Sequence, residues 1–309
     1  MSEFERRRLA LFVLFAYGVA WAVGAAIYAT GGLVDSPALV SLDGGSITLA
    51  AVLLPTGYMF APAVANLATR AITGEGRAGL LLRPRLRAAW RSYAVAWFAP
   101  AALVVLGAGL YFALFPRHFD LSMTAFARAV EAQVGGPVDV WTLAAVQVLA
   151  AVTVGPLVNA AFAVGEELGW RAYLLPKLLP LGTRRAVLVH GVVWGVWHWP
   201  VILMGYEYGF GYPGAPWTGL ALFPLFAVAV GTVLAWLTVR SGSVWPAAVG
   251  HGAVNAAAGI GALFVTGRPS PLLGPLPVGL VGMVPWLVVA ALLLWRTETF
   301  AGGRLDDVA

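Results

Sequence analysis

Residues Tyr208–Val239 read YGFGYPGAPWTGLALFPLFAVAVGTVLAWLTV, without one charged side chain. A helix rises ~1.5 Å per residue, so ~20 such residues cross the ~30 Å hydrocarbon core of a bilayer. The stretch lacks the apolar–polar alternation of a barrel strand, and in lipid a backbone must satisfy its own hydrogen bonds, which leaves a helix. Seven more charge-free windows read the same way: Leu9–Val34, Ile47–Thr69, Ser92–Pro116, Val140–Gly165, Ala186–Tyr206, Ser241–Gly267 and Pro269–Trp295. Of the 309 residues, 60% are hydrophobic and 11% charged, too few charges to cover a water-facing surface. The sequence therefore predicts an all-α polytopic membrane protein with about eight transmembrane helices, a single membrane domain over residues 1–309.

Basic residues orient such a chain, because Lys and Arg concentrate on cytoplasmic loops. With the N-terminus inside, the inside segments hold Arg6, Arg7, Arg8, Arg70, Arg77, Arg83, Arg85, Arg87, Arg91, Arg171, Lys177, Arg184, Arg185, Arg240, Arg296 and Arg304, sixteen of the nineteen basic residues. Only Arg117, Arg128 and Arg268 fall outside, so both termini are expected in the cytoplasm. The run Arg6–Arg8 resembles the start of a secretory signal, but the apolar stretch after it is long and lacks a small-x-small cleavage site; it reads as an uncleaved first span. The net charge of +5 is spread over these loops rather than gathered on one face, which speaks for membrane lipid and against nucleic acid as a partner. Anionic lipid against Arg83–Arg91 is one such contact. No cysteine is present, which excludes disulfides, thiol nucleophiles and thiolate ligands.

The connections around Asp35–Ser46 and Arg117–Asp139 are the longest outside, and are candidates for short interfacial helices. Within the fourth window, Gly155-Pro156 predicts a break, because proline lacks a backbone donor and crowds the preceding turn. Beyond it, Leu157–Leu175 reads as a helix that ends before Pro176.

Twelve of the fourteen acidic residues fall in tails or loops; Glu166 and Glu167 alone interrupt a segment that otherwise reads as membrane helix. An acid at the bilayer centre costs ~2.5 to 3.5 kcal/mol on insertion scales, so the pair marks a functional site. Arg171 lies four residues after Glu167, on the same helical face, where an ion pair forms naturally. Glu166 points about 100° away, lacks that partner and suits a general base. His190, His198 and His251 also lie in apolar windows. Trp194 precedes His198 by one turn and can stack on its ring. Asn255 follows His251 by four residues, so two hydrogen-bond donors share one face, as an oxyanion hole requires. A carboxylate base, a histidine to hold water and a donor pair are the parts for hydrolysing an amide without a covalent intermediate.

These residues fall in three motifs. Glu166-Glu167-Leu168-Gly169-Trp170-Arg171 is similar to the Glu-Glu-x-x-x-Arg motif of the CAAX-protease and bacteriocin-processing family of intramembrane endopeptidases. Trp194-Gly195-Val196-Trp197-His198 stands where that family usually shows Phe-x-x-x-His. His251-Gly252-Ala253-Val254-Asn255 resembles its His-x-x-x-Asn. The resemblance covers roughly 156–255 and marks those residues as the catalytic core. It implies an eight-helix fold whose site opens to the cytoplasm and partly to lipid, and an enzyme acting on a membrane-associated or prenylated protein. The site residues are then Glu166, His198, His251 and Asn255, supported by Glu167, Arg171 and Trp194.

Two alternatives stay open on the sequence. Glu166, His198 and His251 are a two-histidine, one-carboxylate set that zinc accepts; the reading without a metal is favoured because ligation would take the water's base. A proton-coupled transporter also uses buried Glu and His, although the first four spans show no counterpart of them. Depth poses a further problem: a straight fourth span from Val140 would leave Glu166 near the cytoplasmic surface and His198 deeper.

Overall fold

The computed structural model describes residues 3–42 and 45–300. Arg304, counted above with the inside charges, lies outside the described residues, as do Asp43 and Gly44 of the first external connection. The chain is an all-α polytopic membrane protein. Its main helices are α1 (Glu3–Ala29), α2 (Leu49–Thr73), α3 (Leu86–Leu114), α4 (Thr124–Val134), α5 (Val140–Val152), α6 (Gly155–Leu181), α7 (Thr183–Trp197), α8 (Trp199–Leu203), α9 (Trp217–Ser241), α10 (Trp245–Ala257) and α11 (Val284–Trp295).

Among the described residues, five helices are long and apolar enough to cross a bilayer, α10 with its short extension to Phe264 included, and the bent pair of α5 and α6 makes six when counted as one span. The other two windows hold shorter helices for a covalent reason. The fifth breaks at His198, just before Pro200, which has no N–H to continue the ladder. In the eighth, Pro271, Pro275 and Pro277 keep the first half irregular, and α11 occupies only the second.

The first external connection is not an interfacial helix. Ala38–Leu42 pairs antiparallel with Gly45–Thr48 as a small hairpin, consistent with its Val, Ile and Thr content. The second does hold a helix, α4, ended by Gly135 in the left-handed conformation that suits a glycine.

α9 lies at the centre of the bundle, with 67% of its most apolar window buried against 28% for α1. α2 and α10 flank α6 at close range. A Cβ at Gly169 would run into Pro62 of α2, and one at Gly252 would run into the Pro156 carbonyl of α6. Small residues at these two crossings let backbones approach, which is how helices associate where lipid supplies no hydrophobic drive. Trp170 and Trp197, both fully buried, meet edge to face at 5.7 Å and tie α6 to α7.

At one end of the bundle Glu75 joins three elements. It accepts from Lys177 Nζ at 2.8 Å and from the Tyr173 hydroxyl at 2.6 Å, and Arg8 Nε lies 3.2 Å away. Burial works against its charge, but the bonds from Lys177 and Tyr173 and the charges of Lys177 and Arg8 outweigh it and hold the carboxyl below its usual range. The end of α6 is thereby fastened to α1 and α2.

Candidate active site

The depth problem resolves in the path of α6. The span bends by 48° between α5 and α6 at the predicted break, and Trp97 Nε1 caps the freed Val152 carbonyl at 2.8 Å. Pro176 does not end the helix, because the chain widens into a π turn over Trp170–Leu174 just before it and then continues to Leu181. Glu166 thus lies ~22 Å of helix from Leu181, and His198 lies the same ~22 Å from Thr183. Arg171, counted above as a loop charge, is accordingly a fully buried residue of α6 and no topology signal. α10 reaches the same level because its leading turn is sunk: Ser241, Ser243 and Val244 are buried, and Val244 N–H donates to the Leu81 carbonyl at 3.0 Å.

One cavity of about 140 Å³ is lined by Glu166, Trp194, His198, His251 and Asn255 together. Its apolar wall includes Leu54, Met59, Phe223 and Phe226. Glu166, His198 and His251 are buried, whereas Asn255 is exposed at the mouth, its amide without a protein partner among the described residues. His190 is fully buried but outside the cavity lining.

The two acids divide their partners cleanly. Glu167 Oε1 accepts from Arg171 Nη1 at 2.9 Å and meets His251 Nδ1 at 2.8 Å. Glu166 touches neither; its Oε2 accepts from the Trp194 indole N–H at 2.7 Å. That bond was not legible in the sequence, where Trp194 figured only as a ring. The ring contacts are also made: Trp194 meets His198 edge-on at 5.7 Å and His251 at 5.3 Å, and the Arg171 guanidinium sits 4.3 Å over it.

These bonds set the histidine protons. His198 Nδ1 lies 2.8 Å from the Trp194 carbonyl, which only accepts, so Nδ1 carries hydrogen and Nε2 of the neutral ring is an acceptor. An acceptor there suits holding a water by its hydrogen. His251 Nδ1 likewise donates to the Glu167 carboxylate, so its Nε2 donates only when the ring is protonated. Glu167 thereby fixes the orientation of the His251 ring. Nδ1-engaged imidazoles also suit a metal; among the described residues, no group of three His, Asp or Glu side chains is arranged to hold an ion.

The sequence reading missed Glu207, which it left in a loop. Glu207 lines the same cavity, in the connection after α8. Its φ is 67°, a left-handed conformation that costs a residue with a Cβ ~1–2 kcal/mol. The signal lay in the windows: Glu207 alone separates Ala186–Tyr206 from Tyr208–Val239.

Comparison with known proteins meets the same part of the chain. Over 78 residues the chain is 30% identical to the CAAX prenyl protease 2 of Methanococcus maripaludis, a match covering 25% of this chain and 28% of that protein. The match thus spans little more than a quarter of that relative's length. Residues 140–257, which carry Glu166, His198, His251 and Asn255, match the family described as Type II CAAX prenyl endopeptidase Rce1-like, and this part of the chain resembles that family in sequence as its three motifs do.

Proposed function

We propose that the chain is an intramembrane endopeptidase that hydrolyses a peptide bond of a membrane-associated or prenylated protein with water activated by Glu166. The observation that carries this reading is the convergence of Glu166, His198, His251 and Asn255 on one cavity from three helices. Glu166 takes a proton from water held by His198 Nε2. The hydroxide attacks the carbonyl carbon, and the oxyanion is stabilised by the Asn255 amide and by His251, whose ring Glu167 orients. Glu166 then returns its proton to the leaving amine, which restores the site.

The direct test offers the purified protein, in bilayers, a library of membrane-associated peptides with and without a prenyl group. Cleavage is expected, at a rate unchanged by chelators. Activity that disappears on chelation and returns with zinc would make Glu166, His198 and His251 ligands and end the glutamate mechanism.

Trp194→Phe isolates the indole hydrogen bond, since the ring contacts persist and Phe is the residue usual at this place in the resembled family. A hydrogen bond to a charged group is worth ~1.5–3 kcal/mol, so kcat/KM should fall roughly 10- to 100-fold, with a modest drop in melting temperature from the lost bond and the smaller buried ring. Full activity in the Phe variant would show that the bond does not orient Glu166.

In the orientation expected from the basic loops, Thr183 is on the cytoplasmic side and Pro213 outside. The parent has no cysteine, so single introduced ones report cleanly. Thr183→Cys should react with an impermeant maleimide only from the cytoplasm, and Pro213→Cys only from outside. Reversed labelling would invert the orientation of the site.

A further inference from the structure

The cavity is unusual in its charge. Its lining includes two carboxylates, Glu166 and Glu207, and no Lys or Arg. Arg171 lies behind the wall, held by Glu167, and does not line the space. Glu207 has no ion-pair partner among the described residues; its side-chain partner is the neighbouring Tyr206 hydroxyl. It stands beyond His198 on the path from Thr183, at the far end of the site. Its backbone is fixed there: Tyr206 N–H donates to the Val201 carbonyl at 3.0 Å, Gly209 N–H to Gly205 at 2.9 Å, and the Tyr208 hydroxyl to Val278 at 3.1 Å. A glutamate is thus held at φ 67°, between Gly205 and Gly209, where glycine would be relaxed. Such an outlier at a cavity wall points to use of its side chain.

We propose that Glu207 is a specificity-determining residue: the peptide cut in this cavity carries a lysine or arginine side chain that lies along the apolar wall and meets the Glu207 carboxylate. The two halves of such a side chain match what is present. The methylene stem fits Leu54, Met59 and Phe223, and the charged end meets Glu207 beside the Tyr206 ring. An ionised Glu207 in a cavity with low-dielectric walls draws in a cation and disfavours a substrate carboxylate. The inference rests on the endopeptidase reading for the word "cut" but not for the charge preference itself.

The test separates the two. In the Glu166→Gln background, binding is measured for matched membrane peptides that carry Lys, Arg, norleucine or Glu at one position, moved along the peptide. At one register Lys and Arg should bind on the order of tenfold tighter than norleucine, and Glu more weakly still. Adding Glu207→Gln should erase the preference, and Glu207→Lys should turn it toward Glu. Glu207→Gly is the folding control, since glycine relieves the left-handed strain; it should melt no lower than the parent yet show no charge preference. Equal affinity across the series, or no binding by any peptide, overturns the proposal. With Glu166 intact, cleavage indifferent to charge would sink this inference and leave the endopeptidase standing. Charge-selective binding with no cleavage would do the reverse.

Discussion

Glu166→Gln is expected to abolish peptide cleavage and leave the protein folded. The substitution keeps the size of the side chain and an oxygen to accept from Trp194 Nε1, so the 2.7 Å contact survives. It removes the only function that an amide cannot supply, which is to accept a proton from water. Losing a general base costs ~10² to 10⁴ in rate. Glu167 does not take over, because it lies outside the cavity lining and its Oε1 is shared between Arg171 and His251. The measurement is single-turnover cleavage in bilayers beside a thermal melt. A well-folded Gln variant retaining a tenth of parental activity would remove Glu166 from the chemistry.

The contrast between the two acids shows where sequence reading is strong. Contacts along one helix follow from spacing, so the Glu167–Arg171 pair was legible from four residues' separation. The break ahead of Pro156 was legible because proline has one local consequence wherever it stands. Contacts between helices have no such arithmetic. Trp194 reaches Glu166 across 28 positions and His251 reaches Glu167 across 84, and nothing in either motif states these distances. Charge-free windows mark where lipid is the solvent but not how far a helix persists. The windows beginning at Ala186 and Pro269 looked like full spans, yet Pro200 and the prolines at 271, 275 and 277 leave only part of each helical. Glu207 was hidden for a related reason. A single acid between two apolar windows reads as a solvated turn, and only the fold shows that the turn closes over a cavity.

Glu167→Gln should act differently from Glu166→Gln, by damaging stability together with activity. Arg171 has no exposed surface, and its Nη1 finds its carboxylate at 2.9 Å. Removing one member of a buried pair strands the other charge, at a cost of ~3–5 kcal/mol. The same change takes from the His251 ring the carboxylate that orients it, so the oxyanion donor weakens as well. Melting temperature and membrane yield should both drop, and the cleavage that remains should be slower per folded molecule. The pair logic is checked by adding Arg171→Leu. If stranded charge is the cause, the double variant regains stability that Glu167→Gln alone lost, although its activity stays low because His251 is still unbraced. A Glu167→Gln protein that melts and cleaves like the parent would contradict both roles, and together with an active Glu166→Gln protein it would take the catalytic site out of α6 altogether.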